Sequence, residues 1–185
     1  MEELTVRPAA PDDAGDILGV SARAWRAGYA GLVPQAYLNA IDEHDEQRLS
    51  RLRVRLGDPA AGSTLLAVRR RVVLGFLSYG RERVDPRVPA PVFAAPGRAE
   101  VYALYVLPEC WGTGLGSRLL ADTLAALRAG GAGQVCLWVL RDNARARRCY
   151  ERHGFALTGE EQQIDLGGPL PEVRYARGVE AGRHG

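Results

Sequence analysis

No lysine occurs anywhere in the 185 residues, and histidine apart, every basic side chain is arginine. A phosphate loop of the Gly-Lys-Ser/Thr kind is therefore excluded. Cysteine is scarce. Cys110, Cys136 and Cys149 are odd in number and lack metal-ligand spacing, so neither a disulfide framework nor a zinc site is expected, and reduced thiols in a cytosol fit best. His44, His153 and His184 are scattered, which argues against a metal centre and against histidine-based catalysis. Charge of one sign is also missing. Lys+Arg is 24 and Asp+Glu 22, a net charge of +2, too small a field to draw nucleic acid or a membrane surface. No segment reads as a signal peptide and no apolar run is long enough to span a bilayer, so a cytoplasmic protein is expected. Repeats, low-complexity tracts and signs of a second domain are absent too.

What is present is an ordinary globular composition, 46% hydrophobic and 25% charged, in a chain long enough for one domain with a sizeable core. The stretch 102–120, YALYVLPECWGTGLGSRLL, organises it. It reads as a strand (102–107), a turn opened by Pro108, a glycine-rich loop and a helix. Leu115, Leu119, Leu120, Leu124 and Leu127 recur at helical spacing, so Gly112, Gly114 and Gly116 sit at a helix start. The first N–H groups there lack intrahelical partners, and the helix dipole is positive. Glycine lets a ligand approach that backbone closely. This physics predicts an anion site, most simply for phosphate. The plainer reading is a helix start whose glycines serve turn geometry alone. A dinucleotide fingerprint fits poorly, because the loop lies past mid-chain and apolar helix follows it.

These residues resemble the acetyl-coenzyme A loop of the GNAT N-acetyltransferases, Gln/Arg-x-x-Gly-x-Gly/Ala after a Val-x-Pro-like turn. Here the loop runs from Trp111 through Gly112, Thr113, Gly114 and Leu115 to Gly116, preceded by Val106-Leu107-Pro108. Trp111 departs from the pattern, which removes a side-chain role there and leaves the backbone cradle. The block 143–155, NARARRCYERHGF, resembles the family's Asn-x(6)-Tyr-x(3)-Gly-Phe signature, and the openings VRPAAPDDAGDI and AWRAGYAGLVPQAYL are similar to the family's as well. The resemblance implies an α/β domain over 1–178, with a mobile tail over 179–185. Its sheet would be mixed and mostly antiparallel, with helices on both faces. Splayed central strands would form an acetyl-CoA cleft between the strands ending at Val106 and Leu140.

In chain order, strands are expected at 4–7, 64–69, Val72–Arg81, 98–107, Gln134–Leu140, 155–166 and 172–177. Helices are expected from Pro11 to about Trp25, over 34–40 and 45–56, from the glycine loop to Ala129, and over 143–153. Pro86, Pro89, Pro91 and Pro96 make 84–97 a loop. Strict alternation puts Glu100, Tyr102, Leu104 and Val106 on one strand face. A carboxylate there is costly unless paired or working. Glu100 thus reads either as one half of a salt bridge or, by resemblance, as the general base acting through water. No Glu stands at the Trp138 position that some family members use. Tyr150 is either a core tyrosine or, by resemblance, the acid that protonates the leaving thiolate. Asn143 is a good helix N-cap, and by resemblance it also bonds the pantetheine arm. The resemblance further assigns the arm to backbone groups of Leu104, Tyr105 and Val106, and the pyrophosphate to the amides of Gly112, Thr113, Gly114, Leu115, Gly116 and Ser117. Trp25 and Tyr29 become acceptor-pocket residues. Arg145, Arg147 and Arg148 read first as a solvated helix face.

The implied activity is direct transfer of an acetyl group from acetyl-CoA to a primary amine, on a small molecule or a peptide, without metal. Two other readings stay open: a non-catalytic acyl-CoA-binding module and an acyltransferase for longer acyl chains. The acceptor is not legible. Oligomeric state is not legible either, which leaves room for a homodimer.

Overall fold

The computed structural model describes residues 3–85 and 93–179; Pro86, Pro89 and Pro91 of the expected loop, and 180–185 of the expected tail, lie outside them. The chain opens with β1 (Thr5–Pro8) and a 3-10 turn over Pro11–Asp13, which leads into α1 (Ala14–Gly28). Asp13 fixes that entry. Its carboxylate accepts the Ala10 N–H at 2.7 Å and the Arg7 guanidinium at 2.6 and 2.8 Å. Pro34 opens α2 (Gln35–Asn39), and the Asp45 carboxylate caps α3 (Glu46–Gly57) by accepting from the Gln47 and Arg48 N–H groups.

β2 (Ser63–Arg69) and β3 (Val72–Arg81) form the expected hairpin. Arg70 and Arg71 close it with φ of 52° and 64°, the left-handed pair that two-residue hairpin turns require. Then come β4 (Arg98–Val106), a short turn over Pro108–Cys110, α4 (Leu115–Ala129), β5 (Gln134–Leu140), α5 (Ala144–Arg152), β6 (Ala156–Asp165) and β7 (Pro169–Gly178). Among the described residues seven strands form one open sheet, in the order β1-β2-β3-β4-β5-β7-β6. Every neighbouring pair is antiparallel except β4 with β5, which the α4 crossover joins in parallel. This is the mixed, mostly antiparallel sheet expected. The central apolar strand β5 buries Val135, Cys136 and Leu137 almost completely, as a strand covered on both faces does.

One expectation fails inside β4. Ser78 pairs with Ala103 and Tyr79 with Val101, so Tyr102 is an unopposed bulge residue. The bulge shifts the alternation by one. Glu100 pairs with Gly80 and Tyr105 with Phe76, two positions on the same face of the regular strand β3. Tyr105, and not Leu104 or Val106, therefore shares the face of Glu100. Trp25 of α1 packs on that face, 6.2 Å from Tyr105. Gly116 of α4 approaches Val106 on the other. Helices thus cover both faces. A small second core of Val33, Leu38, Leu140 and Leu166 ties α2 to the β6–β7 turn, above the first face.

Candidate active site

The parallel pair is short. β4 meets β5 only from Arg98 with Gln134 to Val101 with Leu137. Beyond that, β4 stays with β3 up to Val106 and β5 stays with β7 up to Leu140. The strands diverge after the bulge, and a cleft of about 1160 Å³ opens between them. The Leu107 N–H donates to the Leu74 carbonyl at 2.9 Å. In an antiparallel ladder this turns the backbone groups of Tyr105 toward β3, and those of Leu104 and Val106 toward the cleft. Tyr105 therefore offers the cleft its side chain and not the backbone group expected of it. At Val106 the carbonyl is already taken by the Trp111 indole N–H at 2.9 Å, and the N–H stays on the open edge.

The glycine loop enters the same cleft. Gly112 and Gly114 have φ of 77° and 86°, which a side chain would strain. Gly116 sits in the first turn of α4 with space around it, and a Cβ there would meet only Val106, at 3.7 Å. The first intrahelical bond runs from the Arg118 N–H to the Gly114 carbonyl, so the N–H groups of Leu115, Gly116 and Ser117 have no helical acceptor. Thr113 does not join them. Its N–H and its hydroxyl both donate to the Cys110 carbonyl, which folds the loop.

Across the cleft, α5 begins at Asn143. The N-cap reading holds, for Oδ1 accepts the Ala146 N–H at 3.1 Å. The amide NH₂ has no partner among the described residues, and Asn143 lines the cleft. Tyr150 packs edge-on against Phe155 at 6.0 Å and lines the cleft as well. No described residue hydrogen-bonds its hydroxyl. Burial, with lesser effects from Tyr29 and Cys149, raises that hydroxyl's pKa far above the ordinary tyrosine value. The arginines of α5 are not simply solvated. Arg145 lies over the Trp111 ring at 3.5 Å, and Arg147 bonds the Tyr175 hydroxyl and the Arg141 carbonyl.

On the Glu100 face the cleft is aromatic and acidic. The Trp25 and Tyr29 rings stand 4.5 Å apart, and the Tyr105 ring lies 6.2 Å from Trp25. Burial raises both tyrosine pKa values. Glu100 is 1% exposed and is ion-paired with Arg83. One oxygen accepts Nη2 at 2.5 Å; the other accepts the Arg83 backbone N–H at 3.0 Å and Nε at 3.1 Å. The salt-bridge reading of Glu100 is thus realised, inside the cleft rather than at a strand edge. Arg83, Gln162 and Glu172 also line this side. Nothing in the spacing had singled out these three. The one available signal was the alternation of Glu172 and Arg174 with Val173 and Tyr175 on the closing strand. Deeper along the same face, Arg174 pairs with Glu82 and with Glu160, and Glu82 also holds Arg98. Cys136 beside this network is buried, and burial is the chief cause that pushes its thiol up to about 12, which disfavours the thiolate.

Among the described residues no cluster of His, Cys, Asp or Glu could hold a metal ion, and no helix is long and apolar enough to cross a membrane. A sequence profile described as "Acetyltransferase (GNAT) family" matches residues 21–155, which include the glycine loop and the Asn143–Phe155 block. A mycothiol acetyltransferase of Parafrankia sp. (strain EAN1pec) is 36% identical over 169 residues, 82% of this chain and 52% of that protein. The chain spans about half the length of this curated relative. Two solved structures share the fold. The paiA N-acetyltransferase of Thermoplasma acidophilum, in complex with coenzyme A, has a TM-score of 0.72 at 18% identity and covers 95% of this chain and 99% of its own. The yncA acetyltransferase of Salmonella typhimurium, with acetyl-CoA, has a TM-score of 0.69 at 20% identity and covers 99% and 98%. With the profile spanning the strand–loop–helix unit, the splay and the Tyr150 helix alike, this chain belongs to the GNAT acetyltransferase family.

Proposed function

We propose that the cleft binds acetyl-CoA and that the chain transfers its acetyl group directly to a primary amine on a small molecule or peptide. The observation that carries this reading is the free edge of β4 beside the unpaired N-terminus of α4, both opening into one cleft. The residues present fit such a co-substrate. The N–H groups of Leu115, Gly116 and Ser117 suit a pyrophosphate. Backbone groups of Leu104 and Val106 and the free amide of Asn143 suit the two amides of a pantetheine arm.

Bound acetyl-CoA supplies an activated acyl group; the rest falls to the protein. The Val106 N–H is a fixed donor toward the carbonyl oxygen where negative charge develops, and it needs no reorganisation during reaction. The cleft holds amine and thioester together, which supplies the proximity contribution. Glu100 takes the amine's proton through water. Its three contacts to Arg83 leave room for one further donor on a carboxylate. Tyr150, protonated well into the alkaline range, gives its proton to the departing sulfur. The name of the Parafrankia relative supports a small-molecule acceptor.

The test is a panel of a polyamine, an amino acid, an aminoglycoside and a lysine-containing peptide with acetyl-CoA, detecting released thiol. Release that depends on one amine supports the reading. Coenzyme binding by calorimetry with no release on any amine would instead make the chain an acyl-CoA-binding module.

A further inference from the structure

Of the two carboxylates lining the cleft that the chemistry above does not use, Asp165 is taken up by the Gly167 and Gly168 N–H groups of its own turn, which leaves Glu172. The strand register fixes its side. Glu100 pairs with Cys136 of β5, and Glu172 of β7 pairs with Leu140. Cys136 and Leu140 lie an even number of residues apart on a strand without irregularity, so Glu172 shares the face of Glu100. That face carries the aromatic wall of Trp25, Tyr29 and Tyr105. Glu172 is half-buried and lines the cleft. Its one hydrogen bond among the described residues comes from the neutral amide of Gln162, at 2.8 Å. The nearby cation, Arg83, already has its guanidinium on Glu100. No described arginine is ion-paired with Glu172.

A half-buried carboxylate without a cation is costly. Its surroundings express this. Burial raises the Glu172 pKa; the like charge of Glu100 adds to the rise, and Gln162 and Arg83 oppose it. A primary amine reaches the site as an ammonium ion at neutral pH; aromatic faces attract it, and a carboxylate counter-charge adds the stronger charge-assisted hydrogen bond.

We propose that Glu172 is the acceptor-binding residue that selects for a positively charged amine, holding its ammonium group beside the Trp25–Tyr29–Tyr105 wall until Glu100 removes the proton. This rests on the acetyltransferase reading above and assigns that site its substrate class, a cationic amine. The transfer balances. The ammonium gives one proton to Glu100 through water and becomes the free amine, the N–C bond forms as the C–S bond breaks, Tyr150 gives one proton to the sulfur, and the second proton lost by the nitrogen as the amide forms restores the Tyr150 hydroxyl through water. Glu172 stays a carboxylate throughout.

The experiment compares wild type, Glu172→Gln and Glu172→Asp with acetyl-CoA and the amine that wild type uses best in the panel. Glu172→Gln keeps the size and the Gln162 contact, and loses the charge. Its KM for the amine is expected to rise 10- to 100-fold with kcat within about threefold. Glu172→Asp should recover part of the loss. In wild type the amine KM should worsen as pH falls through the raised Glu172 pKa, and this acid dependence should vanish in Glu172→Gln. Calorimetry supplies a readout without turnover: the N-trimethylated form of the same amine, which cannot be acetylated, should bind at least tenfold more weakly to Glu172→Gln, with coenzyme affinity unchanged. An unchanged KM, or a loss confined to kcat, overturns the assignment and leaves the acetyltransferase reading standing. Failure of wild type on every amine overturns that reading and the Glu172 proposal with it.

Discussion

The Arg145 guanidinium lies 3.5 Å from the centre of the Trp111 ring and joins the first turn of α5 to the head of the glycine loop. The same indole donates to the Val106 carbonyl at 2.9 Å. One side chain thus ties the loop to both walls of the cleft. This explains how an apolar ring serves where the family's pattern has Gln or Arg: the loop is anchored by packing and by one hydrogen bond, with no charge offered to a phosphate.

Trp111→Phe keeps a ring beneath Arg145 and removes only the indole donor. A single hydrogen bond contributes about 1 kcal/mol. Chemical denaturation should show a loss of that order, with coenzyme affinity changed less than threefold by calorimetry. A tenfold affinity loss at unchanged stability would mean that the indole binds coenzyme directly.

Gly116→Val separates the cradle from the turn. At Gly112 or Gly114 any side chain is strained by the positive φ, so lost binding there would be ambiguous. Gly116 is helical, and valine costs no more than glycine in a helix. The far-UV spectrum should stay native while acetyl-CoA affinity falls at least tenfold, because the new methyls fill cleft space beside Val106 at the start of α4. Gly116→Ala should lose less. Full affinity in the folded valine variant would remove the backbone amides from the site.

Glu100→Ala tests the ion pair itself. The glutamate side chain is 2% exposed and the arginine 26%, so the variant strands a mostly buried guanidinium. Breaking such a pair costs about 3 kcal/mol. The melting temperature should fall by several degrees. The double variant Glu100→Ala with Arg83→Met should recover part of that loss, because no uncompensated charge then remains. If the double variant is no more stable than the single, the pair is not what holds Arg83.

Much of this was legible because local rules and the fold agree. Alternating glycines at a helix start, prolines after strands, Asn143 before a helix and a β5 that is apolar from Val135 onward each point one way. The bulge at Tyr102 was not legible. No glycine or proline within β4 marks it; the glycine that makes room for the Tyr102 ring, Gly80, lies on the partner strand, and β3 and β4 pair around the bulge only in the folded sheet. Without the bulge, the alternation rule put Leu104 and Val106 beside Glu100 in place of Tyr105. The ion pair of Glu100 depended on Arg83, just beyond β3, and the exposure of Glu172 to the cleft depended on the β7–β5 register. Both are long-range facts that spacing along the chain does not carry. Thr113 was misread for a smaller reason: its N–H and hydroxyl are consumed within its own turn.

Tyr150→Phe removes one oxygen from the cleft and leaves the ring against Phe155. The hydroxyl has no partner among the described residues, so its loss breaks no protein contact and stability should hold. Coenzyme affinity should stay within threefold for the same reason. Turnover is where the loss belongs. The intact thioester sulfur is scarcely basic, so Tyr150 keeps its proton in the resting complex and gives it up as the C–S bond breaks and negative charge develops on the sulfur. The rate should fall by roughly 10²–10⁴. Burial raises the Tyr150 pKa, so the hydroxyl stays protonated through the physiological and mildly alkaline range and is lost only above the ordinary tyrosine value. Wild type should accordingly hold its rate as pH rises past the point where a solvent-exposed tyrosine would titrate, and then decline. The phenylalanine variant should show no such alkaline decline. A variant that keeps the wild-type rate, or that keeps the same alkaline limb, would take the proton donation away from Tyr150 and give it to water.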